Sequence, residues 1–324
     1  MPLLTSSYRA PGWLRGGHAQ TILPVLLPRR RRIRQQERLR LPDGDFVSLF
    51  WHRQGSSRLA ILCHGLEGSA DAVYMRGMTA TLAADGWDVL AWNYRGCGGV
   101  ENELARSYHS GESADLRAVV DHAAQTHGRI ALVGFSLGGN ISFKYLGEAP
   151  PHPSVRAAVA LSSPVDLASS ARVLDEEPGN RLYLRRFLKS LKDKTLAKAR
   201  RFPELRERLA GRDGIDAVTT IREFDERVTA PLHGFQDADD YWSRASSLPW
   251  LPRIALPCLL LSAKNDPLLA PPSFPEAVAA QSPHLHLEQP EQGGHVGFID
   301  FQAGLQPWSE RRIAAFLNEH VSGL

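Results

Sequence analysis

The sequence predicts an α/β fold: a mostly parallel central sheet with helices on both faces and a helical cap insertion. Three observations carry that expectation. Short, near-continuous apolar runs alternate with segments of helical period, the pattern of a parallel sheet covered on both sides. One run breaks into a glycine-rich turn before a helix-compatible segment, "IALVGFSLGGN" at 130–140. The alternation also stops between about Leu167 and Leu248, where helical patterns continue without a good strand.

In chain order, residues 33–53 alternate openly around "PDGD" and predict an antiparallel hairpin at the sheet edge. "LAILCHG" (59–65), "WDVLAWNYRG" (87–96), "IALVGF" (130–135), "AAVALSSP" (157–164) and "PCLLLSAKND" (257–266) predict strands buried on both faces. Between them, "YMRGMTATLAADG" predicts a helix closed by Gly86. "ESADLRAVVDHAAQTHG" sets Leu116, Val119, Val120, Ala123 and Ala124 on one face and stops at Gly128. The break at 167–248 contains "LYLRRFLKSLKDKTLAKARRF" and is followed by the Pro-rich return "LPWLPRIALP". It reads as a helical cap over one end of the sheet, within a single domain spanning 1–324, and not as a second domain with its own core.

Composition narrows the class. A chain of 324 residues, 43% hydrophobic and 23% charged, suits a globular protein with a sizeable core. No apolar run reaches the ~20 residues of a membrane span, and the first residues lack the order of a secretory signal. Three cysteines (Cys63, Cys97, Cys258) are too few and too widely spaced for a disulfide framework, so a cytoplasmic location is expected. The 12 histidines show no zinc-type spacing, and no metal is expected. Net charge is +3, but residues 181–212 hold 12 Lys/Arg against 3 Asp/Glu, a local excess of +9 that leaves the remainder at −6. A second basic run, "RRRRIR", occupies 29–34.

A strand that feeds a glycine-rich turn suits either a phosphate cradle or a nucleophile elbow. Gly134 and Gly139 have P-loop spacing, but Asn140 and Ile141 stand where Lys and Ser/Thr would bind phosphate and magnesium. The dinucleotide fingerprint Gly-x-Gly-x-x-Gly is also absent. Gly134-Phe135-Ser136-Leu137-Gly138 fits Gly-x-Ser-x-Gly directly after a strand. That turn forces the serine into a strained conformation and brings the flanking positions against neighbouring backbone, where only glycine fits.

A serine hydroxyl needs a base to take its proton and an acid to orient that base. The order Ser, Asp/Glu, His selects His295 in "EQGGHVGF" as base and Asp266, at the end of "CLLLSAKND", as acid. Asp166 after "LSSPV" competes with Asp266. Two backbone donors are expected to stabilise an oxyanion: Leu137 N–H at the helix start and Leu66 N–H in "CHGLEGS". His64 is expected to fix that loop, and Cys63 to be a core residue. In the cap, Tyr183, Phe187, Leu188 and Leu191 form an apolar stripe suited to an acyl chain, with the Lys/Arg residues outward.

Taken together, "GGHAQTI" (16–22), "HGLEGS" (64–69), "WNYRGCGG" (92–99), "YHSGES" (108–113), "GFSLGGN" (134–140), "SSPVDL" (162–167), "KNDPL" (264–268) and "GGHVGF" (293–298) resemble the α/β-hydrolase superfamily, and within it the YheT-like branch related to eukaryotic acylglycerol lipases. The resemblance implies an esterase or acylglycerol-lipase activity with Ser136, Asp266 and His295 as triad, needing no cofactor. The partner expected is a small-molecule ester or lipid-like substrate, not a nucleic acid. The basic cap suggests peripheral contact with anionic membrane. Two other functions fit the same residues: an acyltransferase using the same acyl-enzyme, and a non-catalytic binding protein on a hydrolase scaffold.

Overall fold

The computed structural model describes residues 3–28, 35–205 and 214–321. The basic run 29–34 and the end of the second basic stretch, 206–212, lie outside the described residues.

Apolar runs pair into one nine-stranded sheet. In chain order the strands are β1 (Leu3–Leu4), β2 (Gln35–Arg40), β3 (Phe46–His52), β4 (Arg58–Cys63), β5 (Asp88–Asn93), β6 (Arg129–Phe135), β7 (Val155–Leu161), β8 (Cys258–Leu261) and β9 (Leu285–Glu288). Their spatial order is β1-β9-β8-β7-β6-β4-β5-β3-β2. Pairing is parallel from β1 to β5, and antiparallel at β5–β3 and β3–β2. The predicted hairpin is therefore the β2–β3 edge. The two-residue strand β1 on the opposite edge is too short to leave a periodic signal.

The period of two divides the central strands between two cores. Leu59, Ile61 and Cys63 of β4 and Ile130 and Leu132 of β6 join one cluster, with Leu116, Val119, Val120 and Ile141 from the helices α3 (Ser113–Ala124) and α4 (Leu137–Glu148). Their neighbours Ala60, Leu62, Ala131 and Val133 join the other, against Met75, Met78 and Leu82 of α2 (Val73–Ala84). Each such aliphatic side chain buried in full contributes roughly 1.5–3 kcal/mol, so this double-sided burial fixes the register of the strands and hence where their ends lie. The N-terminal helix α1 (Gly17–Leu26) lies beside the carboxyl end of the sheet, where its Gln20 side chain donates to the backbone carbonyls of Leu14 and Ile299.

Between β7 and β8 the chain is helical, as expected, with α5 (Leu167–Glu176), α6 (Arg181–Arg201) and α7 (Ala238–Ala245). The segment has an apolar cluster of its own, in which Leu174, Leu184, Leu188, Phe224, Val228 and Trp242 pack together apart from the two sheet cores. The charged face of α6 hid it, because several apolar partners come from helices at 215–233 that are only three to five residues long, too short to show a period. Helices α8 (Glu276–Gln281) and α9 (Trp308–Val321) complete the layers, and α9 packs Ile313, Phe316 and Leu317 on the α2 side. No helix among the described residues is long and apolar enough to cross a membrane.

Candidate active site

Four parallel strands end at one edge, and each delivers a residue there. Ser136 follows β6 directly, Leu66 stands three residues beyond β4, Asp266 five beyond β8 and His295 seven beyond β9. Ser136 adopts φ 53°, ψ −122°, a left-handed conformation that strains a residue with a side chain. A Cβ on Gly134 would stand 2.3 Å from the Gly138 carbonyl oxygen, and one on Gly138 2.3 Å from that of Cys63. The turn therefore closes only with glycine at both positions. Ser136 N–H donates to Leu161 O at 2.8 Å, which pins the turn to β7.

The structure brings Ser136, His295 and Asp266 together. The Oγ of Ser136 is 2.9 Å from His295 Nε2, and His295 Nδ1 is 2.8 Å from Asp266 Oδ2 and 3.1 Å from Oδ1. A carboxylate can only accept, so Nδ1 donates and Nε2 is left to accept the Ser136 proton. Asp266 is buried and also accepts Leu268 N–H at 2.9 Å. Asp166, the competing acid, instead caps α5 by accepting Ser169 N–H at 3.1 Å, a helix-capping role.

The loop that carries His295 is braced from both sides by contacts that the sequence does not announce. His295 N–H donates to Thr21 Oγ1 at 2.8 Å, Gly294 N–H to Asn265 Oδ1 at 3.1 Å, and Val296 N–H to Ser162 Oγ at 3.0 Å. Thr21 lies on α1, within the "GGHAQTI" stretch. A helix of that composition has no local feature that points to a loop 274 residues away.

The two expected oxyanion donors flank Ser136. Among the described residues no acceptor takes the N–H of Leu137, in the first turn of α4, or that of Leu66. The Gly65–Leu66 peptide is oriented by its carbonyl, which accepts from His64 Nδ1 at 2.7 Å and Gly68 N–H at 3.0 Å. In a trans peptide the C=O and N–H point in opposite directions, so the carbonyl anchors aim Leu66 N–H the other way. His64 Nε2 accepts Tyr94 N–H at 3.3 Å, which leaves the proton on Nδ1. Burial holds the ring neutral by pushing its pKa down to about 3. Cys63 is fully buried, burial pushes its thiol up to about 11, and it accepts Trp92 Nε1–H: a core residue.

The cap stripe divides. Leu188 is buried in the cap's own cluster, whereas Tyr183, Phe187 and Leu191 pack half-buried on its margin. Tyr183 stacks on His18 of α1, with ring centroids 5.7 Å apart and its hydroxyl 3.2 Å from His18 Nδ1. The basic residues also divide. Arg181, Arg185 and Lys189 are exposed, but Lys194 and Lys198 point into the protein. Lys198 donates to Asn102 Oδ1 at 2.6 Å and to the carbonyls of Leu104 and Arg106 at 2.7 and 3.2 Å. Burial pulls its pKa down to about 8. Lys194 Nζ stands 3.0 Å from Glu67 Oε1. The expectation of a wholly outward basic face is thus corrected, because half-buried carbonyls and a buried carboxylate in the body take these ammonium groups.

Among the described residues one cluster has the composition of a metal site: His109, Glu112 and His233, where the cap meets the body. Its proton positions oppose a cation. His109 Nδ1 accepts Gly111 N–H at 3.1 Å, so Nε2 keeps its proton and faces Glu112 Oε2 at 3.5 Å. The Arg106 guanidinium already pairs with that same oxygen.

A family model described as the alpha/beta hydrolase fold matches residues 60–302. The chain is 36% identical to YheT of Escherichia coli (strain K12), which carries an esterase name, over 94% of this chain and 91% of that protein. It is 27% identical to Phospholipase ABHD3 of Homo sapiens, covering 92% of this chain and 75% of that protein. Monoacylglycerol lipase of Saccharomyces cerevisiae (strain ATCC 204508 / S288c) is also 27% identical, covering 80% and 58%. Among solved structures, the Pyrococcus furiosus esterase PF2001 superposes with a TM-score of 0.59 at 19% identity, over 89% of this chain and 91% of that one.

Proposed function

The chain belongs to the alpha/beta hydrolase fold family, and on that premise we propose that it hydrolyses carboxylic esters through an acyl-enzyme on Ser136. The observation that carries this reading is the continuous hydrogen-bond chain from Asp266 through His295 to Ser136 Oγ, at 2.8 and 2.9 Å.

His295 Nε2 takes the Ser136 proton as Oγ attacks the ester carbonyl carbon. The carbonyl oxygen gains the electron pair and meets Leu66 and Leu137 N–H, each worth on the order of 3 kcal/mol to the transition state. Collapse expels the alcohol, which leaves with the proton from His295. Water then repeats the sequence: His295 removes its proton, the hydroxide adds to the acyl carbon, and Ser136 departs with the proton restored. Asp266 holds the Nδ1–H tautomer throughout and stabilises the imidazolium. This chemistry calls for no cofactor. Ser136→Ala and His295→Ala are expected to reduce p-nitrophenyl ester turnover by roughly 10⁴-fold or more without changing the circular dichroism spectrum. Full turnover by either variant overturns the reading.

The substrate class follows from the cap. Tyr183, stacked on His18 of α1, and Phe187, one helical turn further along α6, would meet an acyl chain. Tight binding of a lipid surface would draw on the outward Arg181, Arg185 and Lys189, which help line a groove of about 480 Å³ formed by α6 and residues 216–219. Co-sedimentation with anionic vesicles that falls with salt supports this, and binding indifferent to lipid charge removes it.

A further inference from the structure

Glu67 is the residue after the Leu66 oxyanion donor, and it is held in a way that a loop position does not require. It is not glycine, yet it adopts φ 55°. Its N–H donates to Tyr108 Oη at 3.0 Å, and that hydroxyl donates back to Glu67 Oε1 at 2.8 Å. The remaining two partners come from cap helix α6: Ser190 Oγ donates to Glu67 Oε2, and Lys194 Nζ to Oε1 at 3.0 Å. The carboxylate is buried, with 5% of the side chain exposed. A charge in that position is tolerable only while its partners are present.

We propose that Glu67 is a positioning residue that couples the cap to the oxyanion hole: the body's anchors aim Leu66 N–H, and a seated α6 holds the loop rigidly in that aim. The inference rests on the acyl-enzyme reading above. The body contributes anchors that do not depend on the cap: His64 and Gly68 on the Gly65 carbonyl, and Tyr108 on Glu67 N–H. The cap contributes the groups that neutralise the carboxylate. When α6 lifts, Glu67 loses Ser190 and Lys194 together, and solvent becomes the better partner for its charge. Turning outward relaxes its left-handed backbone and pulls on the Leu66–Glu67 peptide, so that the Gly65 carbonyl anchors alone are left to hold the aim of Leu66 N–H. A seated cap, and a substrate that holds it down, therefore complete the electrostatic site. The coupling acts on the transition state, where the oxyanion exists, and not on substrate capture.

The test is steady-state kinetics of Lys194→Met, Lys194→Arg and Ser190→Ala on one short-chain p-nitrophenyl ester, with a trifluoromethyl ketone as a mimic of the tetrahedral adduct. Lys194→Met is expected to lower kcat about tenfold with KM within about twofold, and to weaken the ketone in proportion to kcat/KM. Lys194→Arg restores most of the rate, because a guanidinium still pairs with the carboxylate, and Ser190→Ala has the smaller effect in the same direction. An unchanged kcat in Lys194→Met, or a loss seen wholly in KM, overturns the coupling while leaving the acyl-enzyme intact. Failure of the acyl-enzyme reading shows itself separately, as turnover that survives Ser136→Ala in the otherwise native chain.

Discussion

Beneath the site, the sheet holds Ser136 by packing backbone against backbone, so closely that a Cβ added at either elbow glycine would stand 2.3 Å from a main-chain oxygen. Above it, the cap reaches the same loops through side chains. Lys194 pairs with Glu67, Lys198 caps the carbonyls of Leu104 and Arg106, Asn180 donates to Pro267 O at 2.7 Å, and Tyr183 leans on His18. The body's contacts are between main-chain atoms and leave no room for a side chain at the elbow glycines. The cap's contacts are polar and run through the ends of side chains. One chain thus holds its elbow through the main chain and its cap through side chains.

Substitutions can break this contrast. The largest effect is expected in the body: Gly138→Ala drives a methyl group into the Cys63 carbonyl and should remove more than about 10³-fold of ester turnover, or the folded protein itself. Turnover and circular dichroism decide, and an active Gly138→Ala enzyme would mean that the elbow is as adaptable as the cap. Next comes a pair within α6. Leu188→Ala empties a site in the cap core and should cost about 2–5 kcal/mol in urea unfolding. Phe187→Ala should cost less than half of that while changing the preference among acetyl, octanoyl and longer esters. If the two exchange behaviour, the stripe faces the substrate through Leu188 instead.

The smallest effect concerns pH. Burial pushes His109 down to about 3 and His233 to about 2, from an ordinary 6.5, and His64 in the oxyanion loop to about 3. All three rings are neutral in the fold and accept protons on unfolding below pH 6.5. Stability is therefore fully present above that pH and is lost as pH falls towards 3. His233→Leu removes one such proton and should flatten the slope of unfolding free energy between pH 6 and 4 by at most about 1.4 kcal/mol per unit. An unchanged slope shows that the cap junction opens to water before the rest unfolds.

Legibility in the sequence follows the same division. The elbow, its glycines and the three side chains at strand ends could be read because close backbone contact and double-sided burial each demand one residue type at a fixed spacing. The resemblance to the α/β-hydrolase superfamily rests on the same stretches. What could not be read depends on distant partners. Thr21 braces His295 from α1, Lys194 and Lys198 turn inward from a helix that looks uniformly basic, and Leu188 belongs to a core assembled partly from short helices at 215–233. A lysine that satisfies a half-buried carbonyl and one that faces water have the same letter and the same helical period.

Central to the account is a single hydroxyl made nucleophilic, and covalent labelling tests it most directly. Incubation with a fluorophosphonate, followed by intact mass and peptide mapping, is predicted to give one adduct per chain, on Ser136, and none in Ser136→Ala. An adduct on another residue, or undiminished ester turnover by a chain whose Ser136 is fully labelled, would contradict it.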